Sequence, residues 1–178
     1  MIPDHGSEPA RAQDPALDVR HDTFTITRTL DAPPSVVFDA FADDTVYRRW
    51  FRFPGEDARL RREFGVGGGE DGHSVFGIMG RTPERLAYRS HYLDIVPGSR
   101  IVFTYESIID DVVRWASLVT VLLADAAAAT LLTWTEQVAF LVRTGDGSAD
   151  LPHLRGGIAL RLNGLSAVLG EEATRLRG

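Results

Sequence analysis

The order of strand-like and helical segments is the feature that most constrains the fold of this chain. Seven short strand-like runs lie between residues 22 and 141, a helical stretch interrupts them once, and one long amphipathic helix follows them at the C-terminus. Short breaks between consecutive strands favour antiparallel hairpins. This order predicts an α+β fold in which a curved antiparallel sheet wraps around the C-terminal helix and encloses a cavity.

Period-two alternation supports the strand predictions. In residues 22–30, Phe24, Ile26 and Leu30 fall on one face and four threonines fall on the other, which is typical of a half-buried strand. The last four strands are the longest and are separated by short turn-like breaks, so they predict the body of the sheet. The strands after the first are predicted at residues 60–64, 73–79, 85–96, 100–108, 113–123 and 129–141.

Two short helices and one long helix are predicted. Pro33 and Pro34 end the first strand, Ser35 can cap a helix, and a second short helix is expected near residues 45–50. From His153 onward, apolar residues recur at helical spacing and form one face. About twenty residues at a rise of ~1.5 Å span roughly 30 Å, which is enough to cross a small sheet. The residues of that face are Leu154, Ile158, Leu162, Leu165 and Leu169.

A cluster of five glycines lies between residues 65 and 72. A phosphate-binding loop would need a helix directly after the glycines, with a buried strand before them. Residues 73–79 follow a strand pattern instead, so the cluster predicts a hairpin or a bulge that needs positive φ angles.

Composition excludes several classes of function. The chain has 19 basic residues, all of them arginine, against 25 acidic ones, which gives a net charge of −6 and argues against nucleic-acid binding. Cysteine is absent, which rules out disulfides, a thiolate nucleophile and a Cys-bearing zinc site. We expect no metal, because no two histidines share metal-ligand spacing, and we also expect no cofactor. The five histidines are His5, His21, His73, His91 and His153.

The domain organisation is predicted to be simple. Residues 1–20 are rich in acidic residues and proline, have no apolar run of signal-peptide length, and predict a flexible tail. Residues 21–178 are predicted to form a single domain. No stretch reaches the ~18 consecutive apolar residues of a membrane-spanning helix, so we expect no membrane span and a cytoplasmic protein. The sequence leaves monomer and homodimer both open.

Several segments together resemble one protein family. The run from Tyr92 to Pro97, continued by residues 100–106, resembles the central hairpin of the activator of heat-shock-protein-90 ATPase homologue family. Residues 24–28, 117–121 and 133–137 fit other strands of that family, and the resemblance covers roughly residues 22–170. It implies membership of the START-like, Bet-v-like (SRPBCC) superfamily and a helix-grip fold. That fold encloses a hydrophobic cavity between the sheet and the C-terminal helix.

The sequence departs from the family at one visible place. Where the family tends to have an acidic-Phe-Arg-Val-Gly-Gly run, this chain has Glu63-Phe64-Gly65-Val66-Gly67-Gly68. The arginine of that run is therefore missing, and a role for a basic side chain at this position is not carried over.

Aromatic and polar residues on the predicted strand faces and on the long helix are the candidates for a ligand site. Cavities that bind small molecules are mostly apolar, with a few polar groups that orient the ligand. The candidate ligand-binding residues are Trp50, Phe53, Phe76, Tyr88, His91, Phe103, Tyr105, Trp115, Trp134, Glu136, Ile158 and Leu162.

His91 and Glu136 are the candidates for acid/base chemistry. His91 shares a strand face with Leu93 and Ile95, and this apolar pair favours an inward histidine. The opposite alternative, with Tyr88 and Tyr92 inward, stays open. Glu136 shares a face with aromatic and aliphatic residues. It is either exposed or salt-bridged to an arginine, or else burial raises its pKa and makes it a candidate general base.

Three functions follow, and we predict binding rather than catalysis. The first is a domain that binds or sequesters a hydrophobic, aromatic or lipid-like small molecule. The second is an enzyme similar to polyketide cyclases and dehydratases, which would use His91 and Glu136 with Tyr88 or Tyr105 as a hydroxyl donor. The third is a chaperone partner, implied by the family name alone. The eukaryotic co-chaperones carry a further N-terminal domain, where this chain has about twenty tail residues.

Overall fold

The computed structural model describes residues 19–77 and 82–175. Within these residues, seven strands and three helices follow one another in the predicted order. The elements are β1 (Arg20–Leu30), α1 (Pro34–Ala42), α2 (Asp44–Trp50), β2 (Glu56–Arg62), β3 (Gly69–Phe76), β4 (Glu84–Val96), β5 (Arg100–Ile109), β6 (Val112–Ala126), β7 (Ala129–Phe140) and α3 (Asp150–Arg175).

All seven strands form one antiparallel sheet in the order β1-β7-β6-β5-β4-β3-β2. From β2 to β7 each strand pairs with the next one in the chain, and β1 pairs with the last strand, β7. The β5–β6 hairpin turns at Asp110 and Asp111, whose φ angles are 48° and 66°. The predicted α+β fold is confirmed.

Helix α3 covers the concave face of the sheet. Its predicted apolar residues, from Leu154 to Leu169, are all buried, and Val168 joins them in the same core as the strands. The helix begins at Asp150, three residues before the predicted start at His153. The Asp150 carboxylate accepts hydrogen bonds from the backbone N–H of Thr144 at 3.1 and 3.3 Å, so it ties the preceding loop to the first turn.

The prediction that Ser35 caps the first helix is wrong. Helix α1 begins at Pro34 with Pro33 in the N-cap position, and no side chain caps it. Proline suits the first helical position because its φ angle is already helical and an N–H there has no intrahelical partner. Helix α2 does have a side-chain cap, since Asp43 accepts a hydrogen bond of 2.9 Å from the N–H of Val46.

The glycine cluster forms the turn between β2 and β3, as predicted. Gly67 has a φ of 86°, and its N–H donates to the carbonyl of Tyr92 in β4. At Gly69 a Cβ would lie 2.0 Å from the carbonyl oxygen of Ser90, so this position requires glycine for close approach of two strands. Strand β3 is described only as far as Phe76, and residues 78 and 79 of the predicted strand lie outside the described residues.

A buried ion pair fixes α2 against the sheet. The Arg62 guanidinium donates to the Glu70 carboxylate at 2.9 Å, and the two side chains are 0% and 1% exposed. Tyr47 of α2 and Tyr92 of β4 donate their hydroxyls to the same carboxylate at 3.1 and 2.6 Å. The guanidinium also lies 3.9 Å from the centroid of the Tyr47 ring. The carboxylate therefore has all its partners inside the protein, as a buried charge requires.

The predicted tail, residues 1–20, lies almost entirely outside the described residues, although Arg20 already belongs to β1. Whether the remainder forms a single domain stays a prediction. Within residues 19–77 and 82–175, no helix is both long enough and apolar enough to cross a membrane.

Candidate ligand-binding cavity

A cavity of about 380 Å³ lies between the sheet and the N-terminal half of α3, and we call it the inner cavity. Its walls come from β3, β4, β5, the start of β6, the segment after α2, and α3. Six of the residues predicted from the sequence line it: Phe53, Phe76, Tyr88, Tyr105, Trp115 and Ile158.

The other predicted residues lie elsewhere. Phe103, Trp134 and Leu162 are buried in the core, where the rings of Phe103 and Trp134 meet edge to face at 5.8 Å. Trp50 is buried and donates its indole N–H to the carbonyl of Ala40 at 2.8 Å. Phe103, Trp134 and Leu162 therefore fill the core between the helices and the sheet, whereas Trp50 borders a second depression beside the cavity.

The prediction that His91 points inward is wrong. Tyr88 and Tyr92 are 6% and 4% exposed and face the core, whereas His91 is exposed on the opposite face of β4. A β-bulge between Tyr92 and Asp94 explains the error. The extra residue shifts the alternation, so that Ile95 packs against the core while Leu93 stays 45% exposed. The apolar pair that favoured an inward His91 therefore does not lie on one face.

Glu136 is fully buried behind the cavity wall. Its carboxylate accepts hydrogen bonds from the Tyr105 hydroxyl at 2.5 Å, the Ser117 hydroxyl at 2.7 Å and the indole N–H of Trp134 at 3.0 Å. Among the described residues no basic side chain forms an ion pair with it. Burial raises the pKa of Glu136, although the three hydrogen bonds and the charge of Arg161 oppose that rise. Of the two alternatives from the sequence, the desolvated carboxyl is the one found.

Tyr105 connects Glu136 to the inner cavity. Its hydroxyl accepts a hydrogen bond of 3.2 Å from the indole N–H of Trp115 and donates its own hydrogen to Glu136. A hydroxyl has one donor and two acceptor sites, so one acceptor site is left for a ligand in the cavity that Tyr105 and Trp115 line. Burial and the neighbouring carboxylate raise the pKa of Tyr105, which keeps the phenol protonated.

Tyr88 and Arg161 are the other polar groups at the wall. Among the described residues, the Tyr88 hydroxyl has no hydrogen-bond partner. The Arg161 guanidinium carbon lies 4.3 Å from the centroid of the Phe51 ring. Burial and the negative charge of Glu70 raise the pKa of Tyr88, and the positive charge of Arg161 opposes that rise. Both Tyr88 and Arg161 line the inner cavity.

A second depression of about 610 Å³ adjoins the inner cavity, and we call it the outer groove. It lies between the end of α2 and α3, and it shares Pro54, Gly157 and Arg161 with the inner cavity. Leu160, which is 72% exposed, lies on its α3 side. The two spaces therefore meet at Gly157 and Arg161.

Sequence reasoning missed part of the lining. Arg161 lies beside the apolar face of α3, where a charged side chain is usually solvated, so it was not predicted to line a cavity. The sequence signal that could have identified it is Gly157, the glycine four residues before it. Ser107 and Ile109 continue the alternation of Tyr105 along β5 and were therefore within reach of sequence reasoning, but the candidates were chosen among aromatic residues on that strand. The lining residues that were not predicted are Pro54, Glu84, Leu86, Ala87, Ser107, Ile109, His153, Leu154, Gly157 and Arg161.

The part of the chain that the structure describes contains no group of three or more His, Cys, Asp or Glu side chains that could hold a metal ion.

The fold and the cavity define a class of protein. A curved antiparallel sheet of seven strands that wraps around a long C-terminal helix is a helix-grip fold. The family described as Activator of Hsp90 ATPase homolog 1-like protein matches residues 31–170. The chain therefore belongs to this family, which confirms the resemblance found in its sequence.

Solved structures agree with this assignment. The Mll3558 protein from Rhizobium loti is 40% identical over 85% of this chain and 99% of its own, with a TM-score of 0.70. A protein from Rhizobium leguminosarum is 34% identical over 86% of this chain and 97% of its own, with a TM-score of 0.73. DynU16, a protein in the dynemicin biosynthetic locus, is 18% identical over 84% of this chain and 47% of its own, with a TM-score of 0.58, and shares the fold alone. No curated protein sequence matches significantly.

Proposed function

We propose that this protein binds a small hydrophobic molecule, aromatic or lipid-like, in the inner cavity. The observation that carries the proposal is a cavity of about 380 Å³ whose wall is mainly aromatic and aliphatic. Small-molecule sites typically occupy about 300–1,000 Å³ and combine such a wall with a few polar groups. Burial of apolar ligand surface is worth about 25 cal/mol per Å², which supplies the main driving force for binding.

Two glycines of α3, the helix that covers the inner cavity, support ligand exchange. At Gly156 and Gly157, an added Cβ would meet no atom within 4 Å, so the side of α3 at these residues has open space around it. Glycine inside a helix lowers its stability by about 1 kcal/mol relative to alanine. Gly164 differs, because a Cβ there would contact the Trp50 carbonyl oxygen at 3.4 Å, so its role is close packing of α3 on the end of α2.

Native mass spectrometry of protein purified from its own host tests the proposal directly. We expect a stoichiometric hydrophobic compound that is released on denaturation. As a second test, Nile red should bind the purified protein, and Ser107→Leu should weaken that binding because the larger side chain occupies the inner cavity. Thr104→Leu is the matched control, since Thr104 lies on the other face of the same strand. Equal binding by both variants would contradict the proposal.

Catalysis is the second candidate function, and one observation favours it. A carboxyl group with a raised pKa, Glu136, is hydrogen-bonded to a hydroxyl that lines the cavity, that of Tyr105. Such a pair can take a proton from a bound substrate and return it elsewhere, as cyclisation or dehydration of a polyketide-like compound requires. Glu136→Gln and Tyr105→Phe should then abolish turnover of the compound found by mass spectrometry, whereas His91→Ala should not.

A further inference from the structure

We infer that the ligand of the inner cavity is an apolar monocarboxylate, and that the Arg161 guanidinium and the Tyr88 hydroxyl bind its carboxylate. This inference rests on the proposed binding function and names the chemical class of the ligand.

Arg161 differs from Arg49 and Arg62, the two arginines that pack between the short helices, α3 and the sheet. Arg49 is neutralised by Glu171, at 2.6 Å, and by Glu172. Arg62 is neutralised by Glu70 and by Asp44, each at 2.9 Å. Among the described residues, Arg161 forms no ion pair and no hydrogen bond. Its N–H donors are therefore available in a partly buried position, where an anion is attracted more strongly than in water.

The position of the guanidinium is set by Phe51 and by Gly157. The Phe51 ring, 4.3 Å below, supports one face of the planar group and leaves its N–H edge free. Side chains on a helix lean toward its N-terminus, so Arg161 leans over the turn that contains Gly157. Gly157 has no side chain to fill that space, and it lines both the inner cavity and the outer groove. The charge therefore lies where the two spaces join.

Tyr88 supplies the second donor. Its ring forms part of the cavity wall, and its hydroxyl has no hydrogen-bond partner among the described residues. The contrast with Tyr47, Tyr92 and Tyr105 is clear, because each of those hydroxyls donates to a buried carboxylate. A carboxylate bound between Arg161 and Tyr88 would give the Tyr88 hydroxyl the partner that the protein does not provide.

The charges of the site favour a ligand with one negative charge and an apolar body. Among the described lining residues Arg161 is the one arginine and His153 the one histidine, while Glu84 lies in the wall and Glu136 lies behind Tyr105. A dianion such as a phosphate monoester would meet one cation and two carboxyl groups. Arg49, Arg52 and Glu171 line the outer groove beside Arg161. Because Glu171 pairs with Arg49, Arg52 is the groove residue that attracts an approaching anion toward Arg161.

Two probes of the same shape test the inference. Naphthoate carries a carboxylate and naphthamide is its neutral counterpart, and isothermal titration calorimetry measures both. We expect the wild-type protein to bind naphthoate at least about 10-fold more tightly than naphthamide, since hydrogen bonds to a charged group are worth about 1.5–3 kcal/mol. Arg161→Gln should weaken naphthoate binding about 10- to 100-fold and leave naphthamide binding unchanged.

Two further variants keep the test decisive. Arg155→Gln removes a charge from the exposed side of the same helix, outside both cavities, and should change neither affinity. Tyr88→Phe deletes only the unpaired hydroxyl, and should weaken naphthoate binding several-fold without affecting naphthamide, so the inference can be tested even if Arg161→Gln does not fold.

The outcomes separate the inference from the proposed function. Equal binding of both probes by the wild-type protein, displaced by Nile red, would overturn the carboxylate inference and leave the binding function standing. Loss of both probes together in Arg161→Gln, with an unchanged melting temperature, would also overturn it, because the arginine would then act on cavity shape rather than on charge. Failure of Nile red and both probes to bind would overturn the proposed function itself.

Discussion

Glu136 accepts a hydrogen bond of 2.5 Å from Tyr105, and only the tyrosine of this pair borders the inner cavity. The Glu136 carboxyl is therefore fully buried, and the Tyr105 hydroxyl lies between it and a ligand in the inner cavity. A buried carboxyl with three neutral donors costs stability when ionised, since hydrogen bonds replace only part of its hydration. This arrangement leads to the first prediction.

Glu136→Gln should change how stability depends on pH. Burial raises the pKa of Glu136 above its ordinary value of 4.5, so between pH 4.5 and the raised pKa the folded protein binds more protons than the unfolded chain. The contribution of Glu136 to the free energy of unfolding is therefore largest at low pH and is lost as the pH rises through that range. The wild-type free energy of unfolding should fall, relative to the variant, by up to about 1.4 kcal/mol per pH unit there.

Urea denaturation of both proteins from about pH 4 to about pH 8 measures this difference. Glu106→Gln is the control, because Glu106 is an exposed carboxylate on β5 of the same sheet. A wild-type stability that rises relative to Glu136→Gln over the same range would show that the sign is wrong.

Removing one partner of the Arg62–Glu70 pair should destabilise the protein strongly. Arg62→Met leaves the Glu70 carboxylate buried with two tyrosine hydroxyls and no cation, which typically costs about 3–5 kcal/mol. Arg61→Met, on the exposed side of the same strand, should change the free energy of unfolding by less than about 0.5 kcal/mol. The double variant Arg62→Met/Glu70→Met should regain much of the loss. A single variant as stable as the wild type would contradict the prediction.

Gly69→Ala should prevent close pairing of β3 with β4. Its Cβ would lie 2.0 Å from the Ser90 carbonyl oxygen, and backbone atoms in a sheet cannot move apart without breaking the ladder. We expect a loss of at least about 3 kcal/mol in the free energy of unfolding. Gly65→Ala, in the same glycine cluster, has no neighbour within 4 Å and should be nearly neutral. Similar melting temperatures for the two variants would rule this account out.

His91→Ala should leave ligand binding unchanged. His91 is exposed on the face of β4 opposite Tyr88, and so it has no route to the inner cavity. Nile red titration of His91→Ala should match the wild type, in contrast to Ser107→Leu. Weaker dye binding would instead place a binding surface on the outer face of the sheet.

The fold was predictable because its signals are local. Alternation in β1 and the leucine spacing of α3 depend on neighbouring residues, and both gave the correct buried faces. The position of β2 was less accurate, since it runs from Glu56 to Arg62 rather than over residues 60–64. Its outer face carries charged residues, and as an edge strand it has no strong apolar pattern to mark its start.

The site was only partly predictable, and β-bulges are the reason. A bulge changes which side chains face inward, and it cannot be read from alternation alone. The bulge after Tyr92 places Leu93 and Ile95 on opposite faces, so the apolar pair that predicted an inward His91 does not exist in the structure. Aromatic residues raise a second difficulty, because Phe103 and Trp134 have the same sequence signature as Tyr105 and Trp115. Whether such a residue lines a cavity or fills the core depends on which helix lies above it, and that is a property of the tertiary structure.

The pairing of β1 with β7 has a consequence for how the chain reaches its native state. Arg20 is opposite Phe140 in this ladder, so the first strand finds its partner only after the whole meander has been synthesised. Closing so long a loop loses conformational entropy before the stabilising contacts form. Contacts between residues this far apart in the sequence therefore slow folding. The hairpins from β2 to β6 can form as they emerge from the ribosome. Strand β1 cannot pair until β7 has been synthesised, and the cavity cannot close until α3 has been synthesised. A chain that stops before α3 is made would therefore present an open apolar face to chaperones and proteases.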